Sequence, residues 1–296
     1  MTTFWPLFSE RKITTERSNF KTSPNSEIFS FQVAFSYQIN NKPYYFAHNT
    51  NTNEWYIQEI LDNGKFGKTM STGKWEIPYH IAFTFTVRNR TFYYAQNTNS
   101  NIWYVQELLE DGKFGEVTDH GIKSKSYKVV LPFNINDHAY YYSHSTDTNH
   151  WYIQELSEGG KIGEVTCDGN WSSDHQVSFH YRIKDKNYLY MYNTKEKTWW
   201  INEILDDGTM GEETSRGSLK SSFHVSTPFQ IFGKTYYYAH NLQTRHWFIQ
   251  ELHYGGKMGP KATNGTWTNS YPMVFSANVK NKPYIFAPCY ISKRTN

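Results

Sequence analysis

Three tryptophans, Trp75, Trp171 and Trp267, stand 96 residues apart, each sharing a repeat unit with a loop of asparagine and threonine. An indole face stacks on the apolar C–H face of a sugar ring, while amides and hydroxyls bond the ring's hydroxyl groups. Asn49, Asn97, Asn193 and Asn241 open four of these loops. The pattern therefore predicts repeated shallow carbohydrate sites, with the tryptophans stacking and the asparagines hydrogen-bonding. The same tryptophans also read as plugs for the seams between packed sheets. Lys123 and Leu219 hold the two intervening positions and Glu27 the sixth, so alternate copies differ.

Other residue patterns carry less chemistry. Glu59, Glu107, Glu155, Glu203 and Glu251 each follow an amide residue in a recurring run such as WYIQE. A carboxylate on a half-buried strand needs a partner. The backbone of the glycine turn that follows is the expected one, and ligand binding is the alternative. His48, His144 and His240 share one repeat position, but they fall in alternate copies and do not converge on a metal. No zinc-like His/Cys spacing, calcium loop or G-x-S-x-G element is present. The expectation is thus no metal, no cofactor and no catalytic residues. Cys167 and Cys289 occupy different repeat positions and read as free thiols.

The elements that position these residues follow from a second spacing. Trp55, Trp103, Trp151, Trp199 and Trp247 recur every 48 residues, and the surrounding text recurs with them. A fixed step of that length means one supersecondary unit copied head to tail. Within a unit, VAFSYQI alternates with period two, as a strand does. A short polar turn such as Asn40-Asn41 leads to a second strand, KPYYFAH. An Asn/Thr loop leads to a third, WYIQEIL, and a glycine turn to a weaker fourth. Four-stranded meanders repeated radially make a β-propeller. We expect an all-β, six-bladed propeller forming one domain over 1–296. Five repeats span 31–78, 79–126, 127–174, 175–222 and 223–270, and a sixth blade is closed by 271–296 with 1–30. Leu7 then takes the tryptophan position of the sixth blade. The Trp55 series reads as core.

Composition narrows the function. The chain has 296 residues, 18% aromatic, with a net charge of +3. That charge is too small to mark a duplex nucleic-acid binder. No apolar leader and no run of membrane-spanning length occurs, which predicts a soluble chain without membrane insertion, cytosolic or released without a leader.

With this repeat and these aromatic rims, the chain resembles the tandem-repeat β-propeller lectins. It is similar to the six-bladed fungal fucose-binding lectins in ring size and to the tachylectin and tectonin group in style of repeat. The resemblance covers nearly the whole chain as architecture. No arginine recurs at one repeat position, so it names a ligand class and no particular sugar. It implies a non-enzymatic, multivalent binder of glycans on cell surfaces, with agglutination or defence as its use. Avidity from several equal sites would supply the affinity. The alternative is a protein-interaction or toxin-targeting module. A propeller enzyme is the third reading, because enzymes need unique residues and here the breaks in the repeat are mild.

Overall fold

The computed structural model describes residues 2–6, 31–280 and 282–288, all in strands, turns and loops. The strands are β1 (Thr2–Pro6), then blade 1 of β2 (Val33–Ile39), β3 (Lys42–His48), β4 (Glu54–Ile60) and β5 (Phe66–Lys74). Blade 2 holds β6 (Ile81–Val87), β7 (Arg90–Gln96), β8 (Ile102–Leu108) and β9 (Phe114–Ile122). Blade 3 holds β10 (Val129–Ile135), β11 (His138–His144), β12 (His150–Ser157) and β13 (Lys161–Asn170). Blade 4 holds β14 (Val177–Ile183), β15 (Lys186–Asn193), β16 (Thr198–Ile204) and β17 (Met210–Ser218). Blade 5 holds β18 (Val225–Ile231), β19 (Lys234–His240), β20 (His246–His253) and β21 (Lys257–Thr266). β22 (Phe275–Val279) and β23 (Lys282–Pro288) complete the chain order.

Each of the five full blades is an antiparallel meander in sequence order, and a smaller sheet runs β1-β23-β22. The chain is therefore an all-β propeller of four-stranded blades, with a sixth sheet of three strands among the described residues. In that sheet β1 pairs with β23, Thr2 opposite Pro288 and Pro6 opposite Tyr284. In blade 1 the residue opposite His48, the counterpart of Pro288, is Trp55. Thr2 thus takes the tryptophan position. Leu7, expected there, lies outside the described residues, as do Glu27, Cys289 and any fourth strand of this sheet.

The strand-one turns close tightly because both central residues take positive φ: 50° and 61° at Asn40 and Asn41, 46° and 64° at Arg88 and Asn89. The second strand of each blade is covered on both faces, which is why KPYYFAH shows no alternation. Tyr44, Tyr45, Phe46 and Ala47 are all essentially inaccessible. The fourth strand is the longest, nine or ten residues, and not the weakest as expected. It carries bulges opposite the third strand.

The third-strand tryptophans owe their seat to glycine. Trp55, Trp103, Trp151, Trp199 and Trp247 lie opposite Gly73, Gly121, Gly169, Gly217 and Gly265. A Cβ on Gly73 would come within 2.4 Å of the Trp55 ring. Gly73→Ala should therefore cost about 1–3 kcal/mol, the usual range for overpacking, read as a lower midpoint in urea.

Blades are tied to one another by side-chain bonds to backbone carbonyls. Near the axis Ser36 donates to Ser276 O (2.8 Å), Ser276 to Pro228 O (2.8 Å) and Gln230 to Arg182 O (3.1 Å). Farther out Thr118 and Thr166 donate to Gly160 O and Gly208 O, both at 2.9 Å. These bonds fix the angle between sheets, and so fix what meets in each seam.

Candidate active site

The expected glycan residues are placed as follows. Trp75, half-buried, wedges between blades 1 and 2. It stacks on Trp55 (5.5 Å) and Tyr93 (5.8 Å) and meets His48 and Tyr79 edge-on. Trp171 stacks on Trp151 and donates its indole N–H to Tyr142 Oη at 2.8 Å. Trp267 does the same with Tyr238 Oη at 2.7 Å. The asparagines are turned inward. Asn49 Oδ1 accepts from the backbone N–H of Asn51 and Thr52, Asn97 from Asn99 and Ser100, Asn193 from Lys195 and Glu196, and Asn241 from Gln243 and Thr244. These are Asx turns that shape the loop. The structure does not gather these residues into one cleft.

The acid series differs from expectation. The amide, not the carboxylate, holds the glycine turn: Gln58 Nε2 donates to Gly67 O at 2.8 Å and Gln106 to Gly115 O at 2.9 Å. The strand-four bulge begins at Gln58, which brings that carbonyl to it. Glu59 instead pairs with Lys42 (3.3 Å), and Glu107 takes both arms of Arg90 (2.7 and 2.8 Å). These pairs repeat around the ring and read as structural.

His48, His144 and His240 are fully buried, and burial pushes each imidazole down to about 4. His144 stacks face to face on His175 at 3.8 Å, and His175 Nε2 meets Tyr142 Oη at 3.2 Å. No cluster of three or more His, Cys, Asp or Glu fit for a metal occurs among the described residues. The buried rings make stability depend on pH. Their folded values lie below the unfolded value of 6.5, so the unfolded chain takes up protons first and stability falls from pH 6.5 towards 4. Melting temperature should drop across that window. His240→Gln, the residue blade 2 carries as Gln96, should flatten part of the slope.

Two of the described seams lack the tryptophan, and one of these carries a charge. Between blades 2 and 3, Lys123 stands where Trp75 and Trp171 stand elsewhere. Gln96 replaces the histidine, and Ser143 replaces the alanine found at Ala47, Ala95 and Ala239. Lys123 Nζ lies 4.7 Å from the centre of the Tyr141 ring, 5.0 Å from Tyr152, 5.7 Å from Tyr127 and 5.8 Å from Tyr94. It donates to Tyr141 Oη at 3.0 Å and to Tyr152 Oη. Loss of water around the amine, with no carboxylate paired to it among the described residues, drives it down to about 7. Burial likewise pushes the Tyr152 hydroxyl up to about 12. Gln96 Oε1 accepts from Tyr94 Oη at 2.9 Å, and its Nε2 is buried without a partner among the described residues.

A hydrogen-bonded run leads from this cage to the surface. Tyr127 Oη meets His150 Nδ1 at 3.1 Å, and His150 Nε2 meets Asp168 Oδ2 at 3.2 Å. Exposure rises along it, from a buried Tyr127 to an Asp168 side chain 63% exposed. His150 opens β12 and Asp168 lies near the end of β13, brought together because Tyr152 pairs with Asp168 across the ladder. Carboxylate, imidazole and phenol in line are the parts of an acid–base relay. The sequence marks Lys123 as a break and Gln96 as the residue at the histidine position, but gives no sign by itself that Ser143, His150 and Asp168 belong with them. Aligning the five repeats column by column would have found them: His150–Asp168 faces Glu54–Thr72, Ile102–His120, Thr198–Arg216 and His246–Asn264.

No protein-family model matches the chain, and no curated protein matches its sequence. Solved structures do match. A periplasmic gluconolactonase of Pseudomonas aeruginosa aligns with TM-score 0.58 at 9% identity, over 86% of this chain and 72% of that one. A structure described as a putative 6-phosphogluconolactonase of Bacteroides uniformis aligns with TM-score 0.60 at 12% identity, over 86% and 77%. BBS1N, solved in complex with ARL6DN, aligns with TM-score 0.52 at 6% identity, over 93% and 96%. At such identities the likeness shows the propeller fold alone.

These comparisons correct the resemblance to tandem-repeat lectins. The neighbours include lactonase-like propellers of this architecture, and the lectin kinship is not supported. With it go the non-enzymatic multivalent glycan binder, its agglutinating or defence use and its cell-surface glycan partners. The physical reason lies in the residues that suggested them: the asparagines build turns, and the tryptophans pack against neighbouring rings. Among the described residues no helix is long and apolar enough to cross a membrane. Cys167 is a free thiol.

Proposed function

We propose that the chain, acting as one domain over 1–296, is a propeller enzyme that opens a small cyclic ester at the rim between blades 2 and 3. The observation that carries this reading is the Asp168–His150–Tyr127 run ending beside the Lys123 cage. Ester hydrolysis needs a base for the attacking water and donors for the carbonyl oxygen. His150 takes the water's proton, and Asp168 fixes its ring. The Tyr152 hydroxyl, which Lys123 contacts, donates to the developing oxyanion, while Tyr141 gives its own proton to Gln154 Oε1. The ring oxygen leaves with a proton returned from His150. Sugar lactones are the first class to test, because the gluconolactonase-like neighbours carry such substrates in their names. In the same reading Trp75, Trp171 and Trp267 hold seams, and Asn49, Asn97, Asn193 and Asn241 hold loops.

The test is acid release from glucono-lactone and its 6-phosphate, followed by pH-stat against spontaneous opening. Wild type is expected to exceed the blank, and His150→Ala to lower kcat by about 10²–10⁴, the usual share of a positioned base. Rates equal to the blank for both lactones would remove this reading.

A further inference from the structure

The surroundings of Lys123 suit its amine to a chemistry separate from ester hydrolysis. Its seam position carries tryptophan in three other seams and leucine in a fourth. A lysine there loses hydration and gains ring faces and two phenol oxygens, which do not cancel its charge as a carboxylate would. Lysines desolvated in this way serve as nucleophiles towards carbonyl carbon. Lys123 as a whole is part-exposed at the rim, with its amine turned in among the four rings, so a small aldehyde must approach it from the rim side. The four lysines of the 3–4 turns offer a contrast: Lys65, Lys113, Lys161 and Lys257 sit in open, polar surroundings.

We infer that Lys123 is a carbonyl-capturing amine that forms an imine with small aldehydes, including the open-chain form of short sugars. The Nζ lone pair attacks the carbonyl carbon while the π pair moves onto oxygen. A proton passes from nitrogen to that oxygen, giving a carbinolamine. Loss of water then leaves a C=N bond. The Tyr152 hydroxyl, in contact with Nζ, stands where it donates to the departing oxygen; Tyr141 Oη, 3.0 Å from Nζ, gives its own proton to Gln154 Oε1. Burial keeps Tyr152 protonated at neutral pH, so it holds a proton to give. The step consumes no oxidant or reductant, and it does not depend on the hydrolase reading.

The experiment traps the imine. Folded full-length protein is mixed with glyceraldehyde and cyanoborohydride at pH 7, and each lysine's alkylation rate is read by peptide mass spectrometry. At that pH an ordinary lysine is about one part in a few thousand free amine. Lys123 is expected to label at least about tenfold faster than exposed Lys74 and Lys195. Tyr152→Phe, checked by melting for an intact fold, is expected to slow Lys123 alone. Lys123 labelling no faster than Lys74 would overturn the inference, and so would equal rates in wild type and Tyr152→Phe.

Discussion

A chain lacking residues 1–6 melts roughly 10 °C or more below the full-length protein, and part of it self-associates. β1 supplies the outer strand of the sixth sheet, and its five pairs with β23 are the only described link that joins the N-terminal segment to the ring. Without it, β23 shows a bare edge, a template for pairing with another chain. The loss reaches further, since β22 anchors blade 1 through Ser36 to Ser276 O and Gln38 to Asn278 O, both at 2.8 Å. A closure defect worth several kcal/mol corresponds to a shift of about this size in a domain above 150 residues. Circular-dichroism melting and size-exclusion chromatography decide the matter. An unchanged melt with an unchanged elution volume would mean that the sixth sheet does not seal the ring.

The second large effect belongs to Trp171. Its indole packs between Trp151 and Trp200 and bonds Tyr142, so Trp171→Ala opens a void in the seam of blades 3 and 4 and leaves the buried Tyr142 hydroxyl with His175 alone. The expected cost is about 3 kcal/mol, the low end for a large aromatic because the ring is only half-buried. Lys123→Met is expected to do the opposite at the equivalent position. It removes a poorly compensated charge, keeps the length of the stem, and raises or preserves the melting temperature while impairing turnover. Urea unfolding of both variants checks the contrast. If Trp171→Ala were neutral, the seam role would fail; if Lys123→Met were strongly destabilising, the charge would be structural.

The fold was legible because period-two alternation, positive-φ turn residues and the 48-residue step all point one way. What stayed hidden were contacts created by irregularity. The bulge at Gln58 hands the turn carbonyl to the amide and frees Glu59 for Lys42. The pairing of Gly73 with Trp55 was written in every copy, yet it has meaning only once strands three and four are in register. The candidate site was legible in one residue, Lys123. His150 and Asp168 look like ordinary polar variation in a chain of Asn, Thr and Lys until the hairpin of blade 3 sets them side by side. Tryptophan beside asparagine suggested sugar because the same residue types serve both recognition and packing. Only burial and hydrogen-bond partners tell those uses apart.

The histidine and tryptophan that meet at His48–Trp75 return together at His144 with Trp171 and His240 with Trp267, hence within blade pairs 1–2, 3–4 and 5–6. The step of 96 residues thus divides the ring into three like pairs of blades. The seam inside each pair carries the same tryptophan, whereas the seams after blades 2 and 4 carry Lys123 and Leu219. The lysine cage sits in one of these, where a change of side chain leaves the aromatic joints of all three pairs untouched.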